Sequence, residues 1–167
     1  MIENDKSVVK DNGNIFINSD YNYFIIKNET NIEILKQFVK EKFSGIINNI
    51  INDILINNEK IYWKILINIS LKDIKLFKKF YKIDEDAEII LNDNYLKFLV
   101  TINNVNNYVN TGIKINNIGL SLSLKIKYLL NIINYLKIEE FTIYHIIDSL
   151  LFIKSDKGIV FIAGMVH

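Results

Sequence analysis

The stretch Glu88–Ile102, EIILNDNYLKFLVTI, is the part of the chain that best indicates the fold. Its second half alternates apolar and polar side chains, with the apolar ones at Leu96, Phe98, Val100 and Ile102. This period of two is typical of a strand with one buried face. The apolar run EIIL precedes it across the turn-forming residues NDN, so the two segments predict an antiparallel hairpin. The NNVNN that follows predicts a further turn and then a strand over residues 108–115.

Flanking segments extend this sheet in both directions. The segment NIFINSDYNYFIIK (Asn14–Lys27) predicts a hairpin with a turn at NSD, and KIYWKILINIS (Lys60–Ser70) alternates as a strand. Near the C-terminus, SDKG predicts a turn with Gly158 in the left-handed conformation of a bulged hairpin. The segment FTIYHIIDSLL (Phe141–Leu151) fits either a strand or a helix, and we predict a helix beginning at Thr142.

Three further segments have helical spacing. Apolar residues in Asn31–Ile56 recur at intervals of three and four, after a capping-box pattern at Thr30 and Glu33. A shorter helix is predicted over residues 71–82, and an amphipathic helix over residues 121–137. Together these patterns predict an α+β fold, with a mainly antiparallel sheet of about six to eight strands and three or four helices.

The chain of 167 residues shows no linker and no internal repeat in its sequence. Residues 1–13 form a polar N-terminal lead, and we predict that residues 14–167 form a single domain. The lead lacks the basic and apolar regions of a secretory signal, and no window is apolar enough to span a membrane. We therefore expect a cytoplasmic protein without a membrane partner.

Composition excludes several classes of site. Cysteine is absent, so a disulfide framework, a thiolate metal site and a cysteine nucleophile are impossible. The chain has 35 isoleucines, 24 asparagines, 20 lysines and no arginine, a set that AT-rich codons encode. We infer an AT-rich genome as the source. The lysine content therefore carries no evidence for a basic surface, and the formal net charge of +1 draws no charged partner.

The short helix LKDIKLFKKFYK (Leu71–Lys82) is the candidate basic surface. With Ser70 as its N-cap, it is predicted to bury Leu71, Ile74, Phe77 and Tyr81. Its lysines then share the outer face: Lys72, Lys75, Lys78, Lys79 and Lys82. This face could bind nucleic-acid phosphates, or it could simply be solvated. We favour the solvated face, because the acids that follow would cancel much of its field.

The acids that begin at Asp84 are a candidate metal site. From Asp84, the run DEDAEIILNDNY has acids at positions one, three and five of a calcium loop, but isoleucine and tyrosine occupy the positions of the required glycine and glutamate. The EF-hand interpretation therefore fails. A looser divalent site formed by Asp84, Asp86 and Asp93 is a weaker hypothesis, and we predict no bound metal.

Catalytic candidates are few. His145 and Asp148 are three residues apart, so on a helix the carboxylate could orient the imidazole as a general base. The sequence contains no phosphate-binding loop, no dinucleotide fingerprint and no metalloprotease motif, and we expect no cofactor. The sequence favours a non-enzymatic protein. The alternative is an enzyme or ligand-binding domain centred on His145 and Asp148.

Tyrosines placed outside or at edges by the alternation are candidates for contact with a partner protein: Tyr21, Tyr23, Tyr62 and Tyr108. The leading hypothesis is a protein-binding module of the inhibitor, immunity, anti-defence or adaptor type, which acts by covering a partner's surface. The segment Gly158–His167 has no acid or lysine, which is typical of a covered strand. We predict a homodimer through this segment.

Overall fold

The computed structural model describes residues 7–10, 15–18, 23–27, 64–92, 94–116 and 119–166, with the single positions 33, 37, 40 and 49. In these ranges the strands with defined bounds are β1 Ser7–Lys10, β2 Ile15–Asn18, β3 Tyr23–Lys27, β4 Lys64–Ile69, β5 Glu88–Asn92, β6 Tyr95–Ile102, β7 Val105–Lys114, β8 Leu122–Lys125, β9 Phe141–Ile147, β10 Leu150–Lys154, β11 Gly158–Ala163 and β12 Met165–Val166. The helices with defined bounds are α1 Leu71–Ile83 and α2 Ile126–Leu136.

The strands form two antiparallel sheets. One has seven strands in the order β1-β2-β3-β11-β10-β9-β4, and the other has five in the order β12-β8-β5-β6-β7. The predicted α+β class with antiparallel pairing is confirmed, although the described part of the chain holds more strands than predicted. The four single positions have helical backbone and lie inside the predicted helix 31–56, the rest of which is outside the described residues.

The topology contains a repeat that the sequence did not show. The series β4-α1-β5-β6-β7 is followed by β8-α2-β9-β10-β11, with equivalent elements in the same order. The number of residues from an element to its equivalent in the second series is the same for three pairs: the ends of α1 and α2, the starts of β5 and β9, and the starts of β7 and β11. The first strand of each series lies in the sheet of the other series, since β4 pairs with β9 and β8 pairs with β5.

One buried cluster joins both sheets and both helices. It includes Phe77 of α1, Phe98 of β6, Leu129 of α2 and Val160 of β11. The rings of Phe77 and Phe98 meet edge to face, with centroids 5.7 Å apart. Such clusters dominate the stability of a domain of this size, because burial of apolar surface is the main favourable term in folding.

The middle of the seven-stranded sheet is buried on both faces. Ile153 and Val160 face the main core, whereas Phe152 and Phe161 lie on the opposite face and are equally buried. The two phenylalanine rings are tilted against each other, with centroids 5.0 Å apart. Strand β11 thus lies between β3 and β10 with both faces covered within one chain.

This position changes the argument for the homodimer. Within the segment 158–167, residues Gly158–Ala163 are apolar because they form an interior strand. Their apolar character therefore gives no reason to place a second copy there. Met165 and Val166 of the two-residue strand β12 remain exposed. Homodimerisation stays a prediction, without support from this segment.

Several predicted elements are corrected. Residues 141–147 form strand β9 and not a helix, because Phe141 and Ile143 alternate into the core and the chain turns at Asp148, whose φ is 50°. The helix predicted over residues 121–137 begins only at Ile126, since residues 122–125 pair with β5 as β8. Strand β7 begins at Val105, earlier than predicted, because the turn is confined to residues 103–104.

The position of Gly158 has no room for a side chain. Positive φ among the described glycines occurs at Gly112 and Gly119, so the predicted left-handed conformation at Gly158 is wrong. A Cβ at Gly158 would lie 2.6 Å from the Ile26 carbonyl oxygen and 2.9 Å from a methyl carbon of Leu136. The close approach of β3 and α2 to the start of β11 therefore demands glycine.

Candidate functional site

The hairpin of β6 and β7 is the most exposed regular part of the described chain. Its two-residue turn consists of Asn103 and Asn104, both with positive φ (51° and 63°), as a type I′ turn requires. Ile102 and Val105 face each other directly beside this turn. Asparagine tolerates the left-handed region better than other non-glycine residues, which explains why NN turns the chain here.

Apolar side chains continue along this hairpin beyond the point where the core ends. Val100 is 1% exposed, whereas the next residue on the same face, Ile102, is 46% exposed and its partner Val105 is 58% exposed. On the other face Tyr108 stands opposite Leu99 and is 66% exposed. The hairpin therefore presents three large apolar side chains to solvent.

Strand β7 ends its regular pairing at a bulge. Thr111, Gly112 and Ile113 stand opposite Leu96 alone, and the Thr111 hydroxyl donates to the Leu96 carbonyl oxygen at 2.7 Å. Gly112 has a φ of 75°, and its amide donates to the Asn110 side chain. The regular part of β7 is therefore Val105–Asn110, and it carries no charge.

The predicted lysine face of α1 is present. All five of its lysines are exposed: Lys72, Lys75, Lys78, Lys79 and Lys82. The buried side of α1 holds Ile74 and Phe77, and Phe80 stacks on Phe98 with centroids 4.2 Å apart. Leu71 was predicted to be buried but is 43% exposed, at the first position of the helix.

The N-terminus of α1 has the predicted cap. The Asp73 carboxylate accepts from the backbone amide of Ser70 at 2.9 Å and from its hydroxyl at 3.0 Å. An acid in the first turn also complements the helix dipole.

The acids after α1 contact their own loop and the strands β6 and β8. The Asp84 carboxylate accepts from the amide of Asp86 at 2.9 Å and from the amide of Thr101 at 2.8 Å. Glu88 accepts from the buried Ser123 hydroxyl, and Asp86 lies 3.5 Å from the Lys125 ammonium. Within the described ranges none of these acids pairs with a lysine of α1. The acids keep their negative charge beside the end of the helix, so the predicted weakening of the lysine field stays a prediction.

The metal hypothesis gains no support from these positions. Both oxygens of Asp84 accept backbone amides, Asp86 is exposed, and Asp93 lies outside the described residues. In the part of the chain that the structure describes, no group of three or more metal-ligating side chains comes together.

The proposed pairing of His145 with Asp148 does not form. Because residues 141–147 are a strand, the two residues do not share a helix face, and the His145 Nε2 atom lies 2.8 Å from the Asp148 backbone oxygen instead of its carboxylate. A carbonyl oxygen accepts only, so Nε2 carries the proton in this hydrogen bond. The imidazole thus closes the turn between β9 and β10.

Two open clefts lie at the end of the molecule where β10 turns into β11. The first, about 490 Å³, is lined by β4, β9 and β10, and there the Thr142 hydroxyl donates to the Asn68 side chain at 2.7 Å. The second, about 510 Å³, shares Glu140 and Asp156 with it. Neither cleft reaches His145, so neither provides the pocket that the enzyme hypothesis requires.

The four candidate tyrosines have different outcomes. Tyr21 and Tyr62 lie outside the described residues, and Tyr23 begins β3 but its side chain is not described. Tyr108 is confirmed as an exposed aromatic residue on a strand. Ile102, which the alternation placed on the buried face, is exposed on this hairpin, as is Val105, which the alternation did not single out. The uncharged run Phe98–Ile113 was the signal that could have revealed them.

One tyrosine has a shifted pKa. Burial raises the pKa of Tyr135 in α2 above its usual value, because the phenolate form loses its solvation. The Lys27 ammonium lies 5.0 Å from the centre of the Tyr135 ring. This contact joins α2 to the end of β3 and lies outside both candidate surfaces.

Comparison with known proteins identifies no family. No protein-family profile and no curated protein sequence matches this chain. Among solved structures it is similar to a putative DNA polymerase III beta subunit from Eubacterium rectale (14% identity, TM-score 0.49, covering 90% of this chain and 40% of that one). A DNA polymerase III beta subunit from Thermotoga maritima gives 10% identity and a TM-score of 0.48, with coverages of 90% and 41%.

A third similar structure is the Helicobacter pylori beta clamp bound to a DNA ligase peptide, at 15% identity and a TM-score of 0.47, with coverages of 90% and 40%. The chain therefore spans about two fifths of the length of the structures it resembles. These likenesses assign no activity to this chain. Within the described ranges, no helix is both long and apolar enough to cross a bilayer.

Proposed function

We propose that the protein is a non-enzymatic binding module that contacts a partner protein through the β6–β7 hairpin. Its action is to cover the partner's surface, as an inhibitor, an immunity or anti-defence protein or an adaptor does. The observation that supports this proposal is the exposure of Ile102, Val105 and Tyr108 within the uncharged run from Phe98 to Ile113. Aromatic and aliphatic residues with few charges nearby are typical of the centre of a protein interface.

The sequence of the hairpin favours binding over mere solubility. Exposed strands are normally protected by lysine, proline or a bulge. The bulge of β7 comes only at residues 111–113, and the segment before it, from Phe98, has neither charge nor proline. An unprotected apolar hairpin is an aggregation hazard unless something covers it. A partner that buries it supplies that cover.

The test is capture of a partner from the native host with matched variants. Tagged wild-type protein is expected to retain a stoichiometric partner that mass spectrometry identifies, and the double variant Val105→Asp with Tyr108→Ala is expected to lose it. Ile83→Asp is the control, because Ile83 is equally exposed but lies on α1. Retention of the partner by the hairpin variant, or repeated failure to find any partner, whether another protein or a second copy of this chain, would count against the proposal.

A second candidate function is phosphate binding by the lysine face of α1. The structure favours it in one respect: within the described ranges Lys72, Lys75, Lys78, Lys79 and Lys82 form no ion pair, and the nearby acids have other hydrogen-bond partners. Lysines aligned on one face are the electrostatic footprint of a nucleic-acid binder. The net charge of +1 keeps this candidate second.

Its test is the salt dependence of binding to a labelled DNA duplex. If α1 binds phosphates, Lys75→Glu with Lys79→Glu should weaken binding and reduce the slope of log affinity against log salt by about two. Lys64→Glu with Lys114→Glu, two exposed lysines of β4 and β7, is the matched control. Equal binding by all three proteins would exclude the α1 surface.

A further inference from the structure

The free edges of the two sheets differ in protection. The edge of β4 is partly covered, because the Asn116 amide donates to the Leu66 carbonyl oxygen at 2.9 Å. Strand β12 has two residues and β1 has four, whereas β7 has ten. In the described part of the chain, no strand pairs with the outer edge of β7. A long, uncharged and unpaired edge is a template for another strand.

The turn geometry tells which backbone groups face outward. In a hairpin with a two-residue turn, the residues beside the turn, here Ile102 and Val105, exchange hydrogen bonds with each other. Because the ladder alternates, the amides and carbonyls of Asn106 and Tyr108 then point away from β6. These groups are the ones that a further strand would meet.

We propose that a second copy of this chain adds its own β7 to this edge, antiparallel and about a twofold axis through Asn107. The inference rests on the proposed function, because it names the partner that covers the same hairpin. The segment Val105–Val109 reads VNNYV. A twofold axis at Asn107 pairs this segment with the same segment of the second copy, running in the opposite direction. Val105 meets the partner's Val109, Asn107 meets the partner's Asn107, and Tyr108 meets the partner's Asn106.

The pairing is consistent on both faces. A twofold axis perpendicular to the sheet keeps the core-facing sides of both copies together, so the two valine pairs extend the apolar side, on which Ile102 is also exposed. Asn106 and Tyr108 of each copy supply the hydrogen-bonding pairs of the new ladder. No like charges meet, since the run from Phe98 to Ile113 has none. The bulge at residues 111–113 ends the interface.

Charge-exchange variants test this register directly. Val105→Lys with Val109→Lys places like charges opposite each other in both valine pairs, and is expected to raise the dimer dissociation constant about tenfold or more. Val105→Lys with Val109→Glu places lysine opposite glutamate twice, and is expected to restore the dimer. Light scattering over a concentration series measures both. Equal association of the two variants would overturn the proposed register, and a wild-type protein that stays monomeric would overturn the dimer.

A photo-crosslinking residue at position 107 separates this inference from the proposed function. With purified protein, a covalent dimer linked between the two copies of β7 supports the second copy as partner. Adducts that form only with another protein in host extract would overturn the homodimer and leave the proposed function standing. No adduct in either sample would contradict both. Crosslinker at Ile83 is the control position, at which no dimer is expected.

Discussion

Two uncharged segments of this chain, Phe98–Ile113 and Gly158–Val166, occupy opposite environments. The second begins with β11, which lies inside the seven-stranded sheet with Phe161 on one face and Val160 on the other, both buried. The first forms the end of β6 and most of β7, at the open edge of the five-stranded sheet. Lack of charge therefore does not distinguish an interior strand from an exposed edge strand. The neighbouring strands decide it.

The comparison also separates the two halves of the structural repeat. Strands β7 and β11 occupy equivalent places in the two series, but β11 has β3 alongside it and β7 has no described neighbour on that edge. The N-terminal strands thus complete one sheet and leave the other open. This asymmetry is the physical basis for assigning the binding surface to β7.

The largest expected effect comes from the interior strand. Phe161→Ala should lower the free energy of unfolding by about 3 to 5 kcal/mol, because it leaves a cavity beside Phe152. Tyr108→Ala in β7 should change it by about 0.5 kcal/mol or less in dilute protein, because that side chain is exposed. Urea unfolding measures both. Similar losses for the two variants would remove the contrast between the strands.

A smaller loss is expected at the entry to β11. Gly158→Ala should cost about 1 to 3 kcal/mol, since the new methyl group meets the Ile26 carbonyl oxygen and Leu136. Gly164→Ala is the control, because a Cβ there lies 3.4 Å or more from its neighbours. Thermal unfolding compares the two. A tolerated Gly158→Ala would show that β3 and α2 do not pack closely against this strand.

Asp84 holds the turn end of the β6–β7 hairpin through the Thr101 amide. Asp84→Ala should cost about 1 to 3 kcal/mol, because the amides of Asp86 and Thr101 lose a charged acceptor. Asp86→Ala should cost little, since its contact with Lys125 is exposed. Unfolding in urea, with amide exchange at Thr101, measures the difference. Equal stability of the two variants would mean that the Asp84 contacts are not maintained in solution.

The smallest effect is a pH dependence at Tyr135. Burial raises the pKa of this hydroxyl, so its stabilising contribution is complete below the ordinary tyrosine pKa of about 10. As pH rises toward the raised value, only the unfolded chain ionises there, and the free energy of unfolding falls. Tyr135→Phe should make this decline shallower above pH 10. Identical declines in wild type and variant would contradict the shift.

The sequence predicted what local chemistry determines. The β5–β6 hairpin, the contact of Ser70 with Asp73 and the exposed lysines of α1 follow from alternation, capping and helical spacing, and all are present. It failed where two local patterns fit the same residues. The segment from Phe141 has both strand and helix spacing, and its pairing with β4 and β10 decided for the strand.

Whether a strand lies at the edge or in the interior of its sheet could not be predicted, because that position depends on segments distant in the chain. The cover over β11 comes from β3, more than a hundred residues earlier in the chain. The same limit applies to His145, which is held by the Asp148 backbone oxygen through a turn that helical spacing does not anticipate. The candidate surface on β7 became visible only when the neighbours of each strand were known.

Amide hydrogen exchange on dilute protein tests the central contrast most directly. The outward amides of Asn106 and Tyr108 in β7 should exchange rapidly, whereas those of Val160, Phe161 and Ile162 in β11 should exchange only through large-scale unfolding. Raising the protein concentration should slow exchange at Asn106 and Tyr108 alone. Protection of these two amides equal to that of β11 in dilute protein would show that the β7 edge is already covered within one chain, and would contradict the account.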